Sequence, residues 1–257
     1  MAEQRYSGDL RGARFTSANL HEARFSGSDL SGVIMRGVDI AGADIDAPWL
    51  LEGGGGGTLL VNGVDVAPFV EAELNRRFPG RAERYASDPA GLAAAWAALQ
   101  QGWEAALVRA AAMTEGTVDV SVDGEWSFAQ TLRHLVMATD TWLRQAILQV
   151  DDAHHPIGQP DASYGSDSND TATFSAEAPT YAAVLEVRAE RVAMVRDYIA
   201  ALTPELLDEP RANPHAPEHA ETVRSCLQVI LEEEWEHLRF ALRDLDAIER
   251  GSEGGQQ

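Results

Sequence analysis

The N-terminal fifth of the chain repeats with a period of five residues. A small or branched residue lies two positions before most of the large apolar residues that mark this period, which are Leu10, Phe15, Leu20, Phe25, Leu30, Met35, Ile40, Ile45 and Leu50. A helical period of 3.6 residues would scatter these side chains around the axis, and a strand period of two would send successive ones to opposite faces. The spacing instead predicts a chain that turns a corner every five residues, with the large and the small residue pointing inward.

This pattern resembles the pentapeptide-repeat family, most clearly in SANLHEARFSGSDL (17–30) and AGADI (41–45). The resemblance implies a short right-handed quadrilateral β-helix over residues 1–52, in which four repeats make a coil and nine repeats make roughly two coils. Phe25→Asp is then predicted to destabilise the segment strongly, because it buries an unpaired charge. Repeat stacks need neighbours or caps at their ends, so we expect the solenoid to dock on something, and its exposed ends favour a homodimer.

Residues 53–87 are predicted to connect this segment to a second region. The run of five glycines at 53–57 indicates a flexible connector or a bend. Asn62-Gly63, between two short apolar runs, predicts a β-hairpin. The stretch PFVEAELNRRF (68–78) predicts a short helix.

From residue 88 to 250 the pattern becomes helical. Asp88 and Ser127 are predicted N-caps, and Pro89 occupies the first helical position after Asp88. The predicted helices span 88–113, 127–148, 178–202 and 221–249, and four helices of this length form a bundle. The predicted fold class is therefore α+β, a β-helix fused to a four-helix bundle, with a flexible tail at 251–257.

Three residues of this region have the types and spacing of a metal site. Glu233 and His237 are four apart, so their side chains lie on one helix face, and a second helix would supply His134. Two imidazoles and a carboxylate suit a divalent transition metal and leave positions open for water or substrate. A core histidine and a solvated run of glutamates at 232–234 are the structural alternatives.

Helices two and four together resemble the DinB-like superfamily. Its up-down-down-up bundle binds a divalent metal through a histidine of helix two and an HxxxH pair of helix four, which His134 and His237 match. Glu233 stands where the family usually has histidine, which would shift the preference toward harder ions. Glu234 is an alternative carboxylate ligand, and zinc, nickel, iron and manganese are not distinguished.

The resemblance implies chemistry as well as a metal. DinB-like proteins include metal-dependent transferases that use small cellular thiols, a thiol-dependent isomerase and the bundle domain of sulfoxide-forming enzymes. We therefore expect a small-molecule substrate and a low-molecular-weight thiol cosubstrate that is activated at the open metal site.

Two further residues are candidate catalytic groups. His155, beside His154 in the long unpatterned segment 150–177, could act as a general base or as a fourth ligand, or be an exposed loop histidine. Cys226 lies two helical turns before Glu233 on the same face and is either a nucleophile or a small buried hydrophobe.

Composition limits the partners. Twenty basic residues against 41 acidic ones give a formal charge of −21, which argues against nucleic acid and anionic membranes. All the basic residues are arginine, so Schiff-base lysine chemistry and a Walker lysine are excluded. A single cysteine excludes an internal disulfide, and the polar start MAEQRYSGDL is no signal peptide, so the cytoplasm is the expected compartment.

A different class of function is a non-catalytic scaffold. Some pentapeptide-repeat proteins resemble the DNA duplex in shape and charge and bind topoisomerases. The acidic residues of this chain are not concentrated in the repeats, where they barely outnumber arginine up to Leu50. A topoisomerase-binding module is therefore the alternative to the enzyme.

Overall fold

A computed structural model describes residues 6–54, 57–160, 164, 171–175 and 177–254. The chain divides into two compact units, the first ending at Asp46 and the second beginning at Ala47. In the described part of the chain, no helix combines the length and the apolar character that crossing a bilayer requires.

The first unit is a series of turns with a period of ten residues. In each turn a backbone N–H donates to the carbonyl three residues earlier, at 2.9–3.1 Å, and the four donors are Ala13, Ala23, Val33 and Ala43. A side-chain oxygen at the start of each turn accepts the N–H two residues on, and these side chains are Asp9, Asn19, Asp29 and Asp39. Such Asx turns stabilise a bend locally. The five-residue period of the sequence thus gives a ten-residue period of the backbone.

The structure does not show the predicted quadrilateral β-helix in the described residues of this unit. Residues 6–46 contain no strand. The side chains predicted to point inward are exposed from Leu10 to Ile45, with exposed fractions between 48% for Leu20 and 66% for Phe15. A coil of a solenoid buries its inward residues only against a stacked neighbour, and two coils supply a single such contact. The local turns form without that contact, and the apolar side chains stay in solvent.

The second unit begins with short elements that lead into the bundle. A 3₁₀-helix at Pro48–Gly54 precedes strands β1 (Leu60–Val61) and β2 (Val64–Asp65), which pair antiparallel around Asn62-Gly63 as predicted. Helix α1 (Ala67–Arg77) confirms the predicted short helix, and a second 3₁₀-helix follows at Arg81–Tyr85. Gly55 and Gly56 of the predicted glycine connector lie outside the described residues.

Four long helices form the main body of the second unit. They are α2 (Pro89–Ala112), α3 (Phe128–Thr139), α4 (Tyr181–Ala200) and α6 (Val223–Gly254). The second predicted helix changes form part of the way along, because α3 continues as a π-helix over Asp140–Ile147. Helix α6 runs on into the predicted tail as far as Gly254, and residues 255–257 lie outside the described part.

The connection between α4 and α6 holds structure that the sequence did not predict. It contains the short helix α5 (Pro204–Leu207) and an antiparallel hairpin of β3 (Pro210–Ala212) and β4 (Ala220–Thr222). The sequence does contain a helix-start signal for α5, because Thr203 is its N-cap and Pro204 occupies the first helical position.

Side chains at the helix starts explain where the bundle helices begin. Asp88 accepts the N–H of Gly91 at 3.0 Å, and Ser127 forms a reciprocal capping box with Gln130. Both predicted N-caps are confirmed. The buried stripe that the sequence predicted on the second helix is also confirmed at Phe128, Leu132, Leu135, Trp142 and Leu143.

The helices enclose one apolar core. Around the bundle α2 contacts α6, α6 contacts α3, α3 contacts α4 and α4 contacts α2. Gly102 lets α2 and α6 approach closely, because a Cβ there would lie 2.7 Å from Leu238. The site described next lies where α3 meets α6.

Candidate metal centre

His134, Glu233 and His237 come together in the structure. One potential ligand atom from each lies within 4.8 Å of the others, and they form the one such histidine, cysteine and carboxylate group found among the described residues. His134 is on α3, whereas Glu233 and His237 are one turn apart on α6. The sequence-based choice of these three residues is therefore matched by their geometry.

The ring of His134 is held between two oxygens. Its Nδ1 lies 3.0 Å from the carbonyl oxygen of Gln159, and its Nε2 lies 3.3 Å from Oε2 of Glu233. The carbonyl can only accept, so Nδ1 donates, and Nε2 is the nitrogen directed at the carboxylate. A histidine that binds a metal through Nε2 commonly donates its other N–H to a carbonyl in this way.

His237 has a similar arrangement within its own helix. Its Nδ1 donates to the backbone carbonyl of Glu233 at 2.8 Å, which leaves Nε2 with the lone pair. Burial, reinforced by the charge of His134, lowers the pKa of His237 to about 4. The imidazole of His237 is therefore neutral at physiological pH, which is the state that binds metals.

Glu233 supplies the carboxylate. Burial opposes its ionisation, but the hydrogen bond to His134 and the charges of His237 and His134 outweigh burial and lower the pKa of Glu233 to about 2. Its Oε2 also lies 3.4 Å from Nδ1 of His237, and 34% of its side chain is exposed. The candidate site therefore contains an ionised carboxylate that solvent can reach.

Aromatic rings surround the two histidines. The ring centroids of His134 and His237 are 4.7 Å apart and nearly parallel, and Trp126 lies 4.7 Å from His134 and 6.2 Å from His237. Phe240 meets His237 edge to face at 5.6 Å. These rings restrict the motion of both imidazoles and make the walls of the site largely apolar.

The neighbouring glutamates have other partners. Both carboxylate oxygens of Glu234, which is 1% exposed, accept from Nη2 of Arg188 at 2.5–2.6 Å. Glu232 accepts from the hydroxyl of Tyr85. Glu233 is thus the carboxylate that meets the histidines, and the run of three glutamates is not a solvated face.

The two catalytic candidates lie outside this group. The ring Nδ1 of His155 accepts the N–H of Ile157 at 3.1 Å, and its own backbone N–H donates to Asp140 at 2.8 Å. Cys226 is fully buried, and burial together with the charge of Glu221 raises the pKa of its thiol to about 12. A thiol in this state is a packing residue rather than a thiolate nucleophile.

Sequence reasoning missed Gln159 and Arg133. Gln159 contributes its main-chain carbonyl, which any residue possesses, and Arg133 interacts with main-chain oxygens of the same loop. Contacts through main-chain oxygens do not require particular residue types, so the sequence spacing could not predict either of them.

Two family models match the chain, one in its N-terminal repeats and one in the helical region. A family model of pentapeptide repeats matches residues 9–45 in eight copies. A model of the DinB superfamily matches residues 67–241, which is more than half of the chain and contains all three residues of the site. No curated protein and no solved structure matches the chain. The chain therefore belongs to the DinB superfamily, with pentapeptide repeats in its N-terminal region.

Proposed function

We propose that the bundle is a metal-dependent enzyme in which His134, Glu233 and His237 bind one divalent ion and a small cellular thiol reacts with an electrophilic small molecule beside it. The observation that carries the proposal is the convergence of the three ligand atoms within 4.8 Å. The proposal places the enzyme in the cytoplasm, where such thiols are kept reduced.

The donor set fits a divalent transition ion. Both imidazoles have their Nδ1 engaged with a carbonyl, so Nε2 is the nitrogen that each would offer to a metal ion, and Glu233 is ionised. At His134 the ion would take the place of the proton that Nε2 donates to Glu233. Two nitrogens and one oxygen suit zinc, nickel, iron and manganese alike. Three protein ligands leave coordination positions free, as catalytic sites require.

A bound divalent ion supplies Lewis acidity, which lowers the pKa of a thiol that reaches it. The exposed part of Glu233 marks the side from which the thiol and the electrophile enter, and Trp126 and Phe240 offer apolar surface to the organic part of the substrate. The thiol proton leaves to water on this side, the sulfur forms a bond to the electrophilic carbon, and the leaving group departs with the electron pair of the broken bond. Isomerisation would need a different substrate, one with a polarised double bond: the thiol sulfur and a proton add across it, and elimination of the thiol after rotation about the new single bond gives the isomer.

Among the described residues, no cysteine belongs to the group formed by His134, Glu233 and His237. Cys226 is its single cysteine and remains protonated in the core. An external thiol is therefore the nucleophile that the proposal requires.

Conjugation of small cellular thiols with a panel of electrophiles tests the proposal. Protein loaded with zinc or manganese is expected to form conjugates faster than metal-free protein, His237→Ala to lose this advantage, and Cys226→Ser to keep it. A large loss in folded, metal-loaded Cys226→Ser would instead identify a protein thiolate as the nucleophile. Equal rates with and without metal, for every thiol tested, would reject the enzyme.

The first unit favours a second function, the binding of a protein partner. Its apolar positions are exposed and regularly spaced, which is unusual for a surface without a ligand. Topoisomerase is the partner that the resemblance to pentapeptide-repeat proteins suggests. Direct binding to a purified topoisomerase, compared between the wild-type chain and Phe25→Asp, tests this function, and equal signals from the two proteins would reject it.

A further inference from the structure

Arg133 is a buried arginine with an unusual set of partners. It precedes His134 on α3 and is 8% exposed. Its Nε donates to the carbonyl of Ile157 at 2.8 Å, and its Nη2 donates to that of Gly158 at 3.5 Å. These partners are neutral main-chain oxygens rather than a carboxylate. Burying a guanidinium against neutral groups costs free energy, so its place here calls for a role other than stability.

The two carbonyls belong to the residues just before Gln159. The N–H of Gln159 donates to the carbonyl of Arg133 at 3.3 Å, and the carbonyl of Gln159 accepts from Nδ1 of His134 at 3.0 Å. Pro160 follows, which restricts the backbone of Gln159 to extended conformations. Arg133 and His134 therefore both bind one short stretch of the loop between the π-helix and α4. The guanidinium of Arg133 donates to Ile157 and Gly158, and the ring of His134 donates to Gln159.

The same stretch is fixed at two further points. The backbone N–H of His155 donates to Asp140 at 2.8 Å, close to the end of α3. Gly158 packs against Phe174 so closely that a Cβ there would lie 2.8 Å from the phenylalanine ring. Segment 155–159 is thus held along α3 at several points, and the guanidinium of Arg133 is the side chain that holds the two residues just before Gln159.

We propose that Arg133 is a positioning residue for the metal centre: by holding segment 155–159 against α3 it keeps the Gln159 carbonyl on Nδ1 of His134 and so directs Nε2 at Glu233 and the ion. The part of this inference that concerns metal binding rests on the proposed function. The part that concerns the His134–Gln159 hydrogen bond does not depend on a metal.

Arg133 is expected to affect metal binding through the orientation of the His134 ring. Without the guanidinium, the carbonyls of Ile157 and Gly158 lose these donors, and what remains to hold Gln159 is the long hydrogen bond, 3.3 Å, from its own N–H to the main-chain carbonyl of Arg133. The carbonyl of Gln159 then shifts relative to Nδ1 of His134, and the ring samples other orientations. Loss of such an outer hydrogen bond to a metal-binding histidine typically lowers metal affinity by about 10- to 100-fold.

Three variants separate positioning from general stability. Arg133→Met removes the donors at nearly constant volume, and Arg133→Lys keeps the charge and the donors of a single nitrogen but loses the planar fork. Arg211→Met is the matched control, because Nε of Arg211 also donates to a main-chain carbonyl, that of Ile147 at 3.0 Å, in another part of the bundle.

Two measurements are made on each full-length variant. The first is the affinity for Co²⁺, from competition with a chromophoric chelator, together with the visible spectrum of the bound ion. The second is the NMR signal of the Nδ1 proton of His134 in metal-free protein, assigned by its absence in His134→Ala. Arg133→Met is expected to bind Co²⁺ about 10- to 100-fold more weakly, with an altered spectrum, and to lose or broaden the Nδ1 signal. Arg133→Lys is expected to fall between it and wild type, and Arg211→Met to match wild type in both.

The outcomes distinguish the two proposals. If the wild-type protein binds no Co²⁺, the proposed function fails and the Nδ1 signal alone decides the role of Arg133. An unchanged Nδ1 signal and unchanged affinity in Arg133→Met would overturn the positioning role. If Arg133→Met does not fold, Arg133→Lys decides, and wild-type values in that variant overturn the role. Equal losses in Arg211→Met would likewise overturn it, because they would show a general effect on the bundle.

Discussion

The two units of the chain show opposite relations between sequence regularity and burial. The first unit has the more regular sequence, yet its apolar residues from Leu10 to Ile45 are exposed. The second unit has no repeat of this kind, yet it buries a continuous core. Leu20 and Leu132 make the contrast concrete, because both lie in strong apolar patterns but their exposed fractions are 48% and 1%. A local period specifies where the chain turns, whereas burial depends on a distant segment that covers the side chain.

Ion pairs show the same contrast. Arg11 and Asp9 form a forked pair in the first unit that is largely exposed. In the bundle, Nη2 of Arg188 donates to both carboxylate oxygens of Glu234, and this pair is almost completely buried. Solvent screens the first pair, so it contributes little to stability. In the second pair each charge depends on the other, because neither can be hydrated.

The largest expected effect is therefore on the buried pair. Glu234→Gln leaves Arg188 charged and buried without its counter-ion, so we expect it to destabilise the protein by about 3–5 kcal/mol. The unfolding free energy from urea denaturation measures this. The matched change in the first unit, Asp9→Asn, is expected to leave the urea midpoint where it is in wild type. Similar losses in both variants would remove the contrast.

Matched leucine truncations sharpen the comparison. Leu132→Ala opens a cavity in the core and is expected to cost about 2–5 kcal/mol. Leu20→Ala is expected to change stability by less than about 0.5 kcal/mol, because its side chain is half exposed. Thermal and urea unfolding of the two variants provide the test.

Phe25→Asp extends that test. The structure reverses the sequence-based expectation of a strong effect, because 61% of Phe25 is exposed and the new carboxylate stays hydrated. If Leu20→Ala or Phe25→Asp lowered the free energy of unfolding as much as Leu132→Ala, the result would support a β-helix that buries these side chains.

Acidification is expected to destabilise the bundle. The pKa of His237 is about 4 in the folded protein against an ordinary value of 6.5, because burial and His134 disfavour its charged form. Between these values the unfolded chain binds more protons than the folded one, so this stability is present above pH 6.5 and is lost as the pH falls toward 4. Urea midpoints of metal-free protein across this window test the slope, which His237→Asn should reduce. A flat profile for wild type would contradict the account.

Local signals explain what could be predicted. Capping residues located the starts of α2 and α3, and the Asn-Gly turn located the first hairpin, because each is decided within a few residues of chain. The three residues of the candidate site could be predicted to lie together, since Glu233 and His237 share a helix face and the resemblance supplied His134.

What the sequence missed depends on distant contacts. Only the position of Arg188 separates Glu234 from Glu233, and only the path of the loop brings Gln159 to His134. The structure does not show the predicted β-helix for the same reason, since that prediction assumed stacked neighbours that residues 6–46 do not provide.

The most direct test of the central claim is the metal content of the purified protein after incubation with Zn²⁺ and dialysis, measured by elemental analysis beside His237→Ala. The account predicts one tightly bound ion per wild-type chain and loss of most of it in the variant, because two remaining ligands hold a divalent ion poorly. A metal-free wild-type protein, or equal metal in folded His237→Ala, would contradict it.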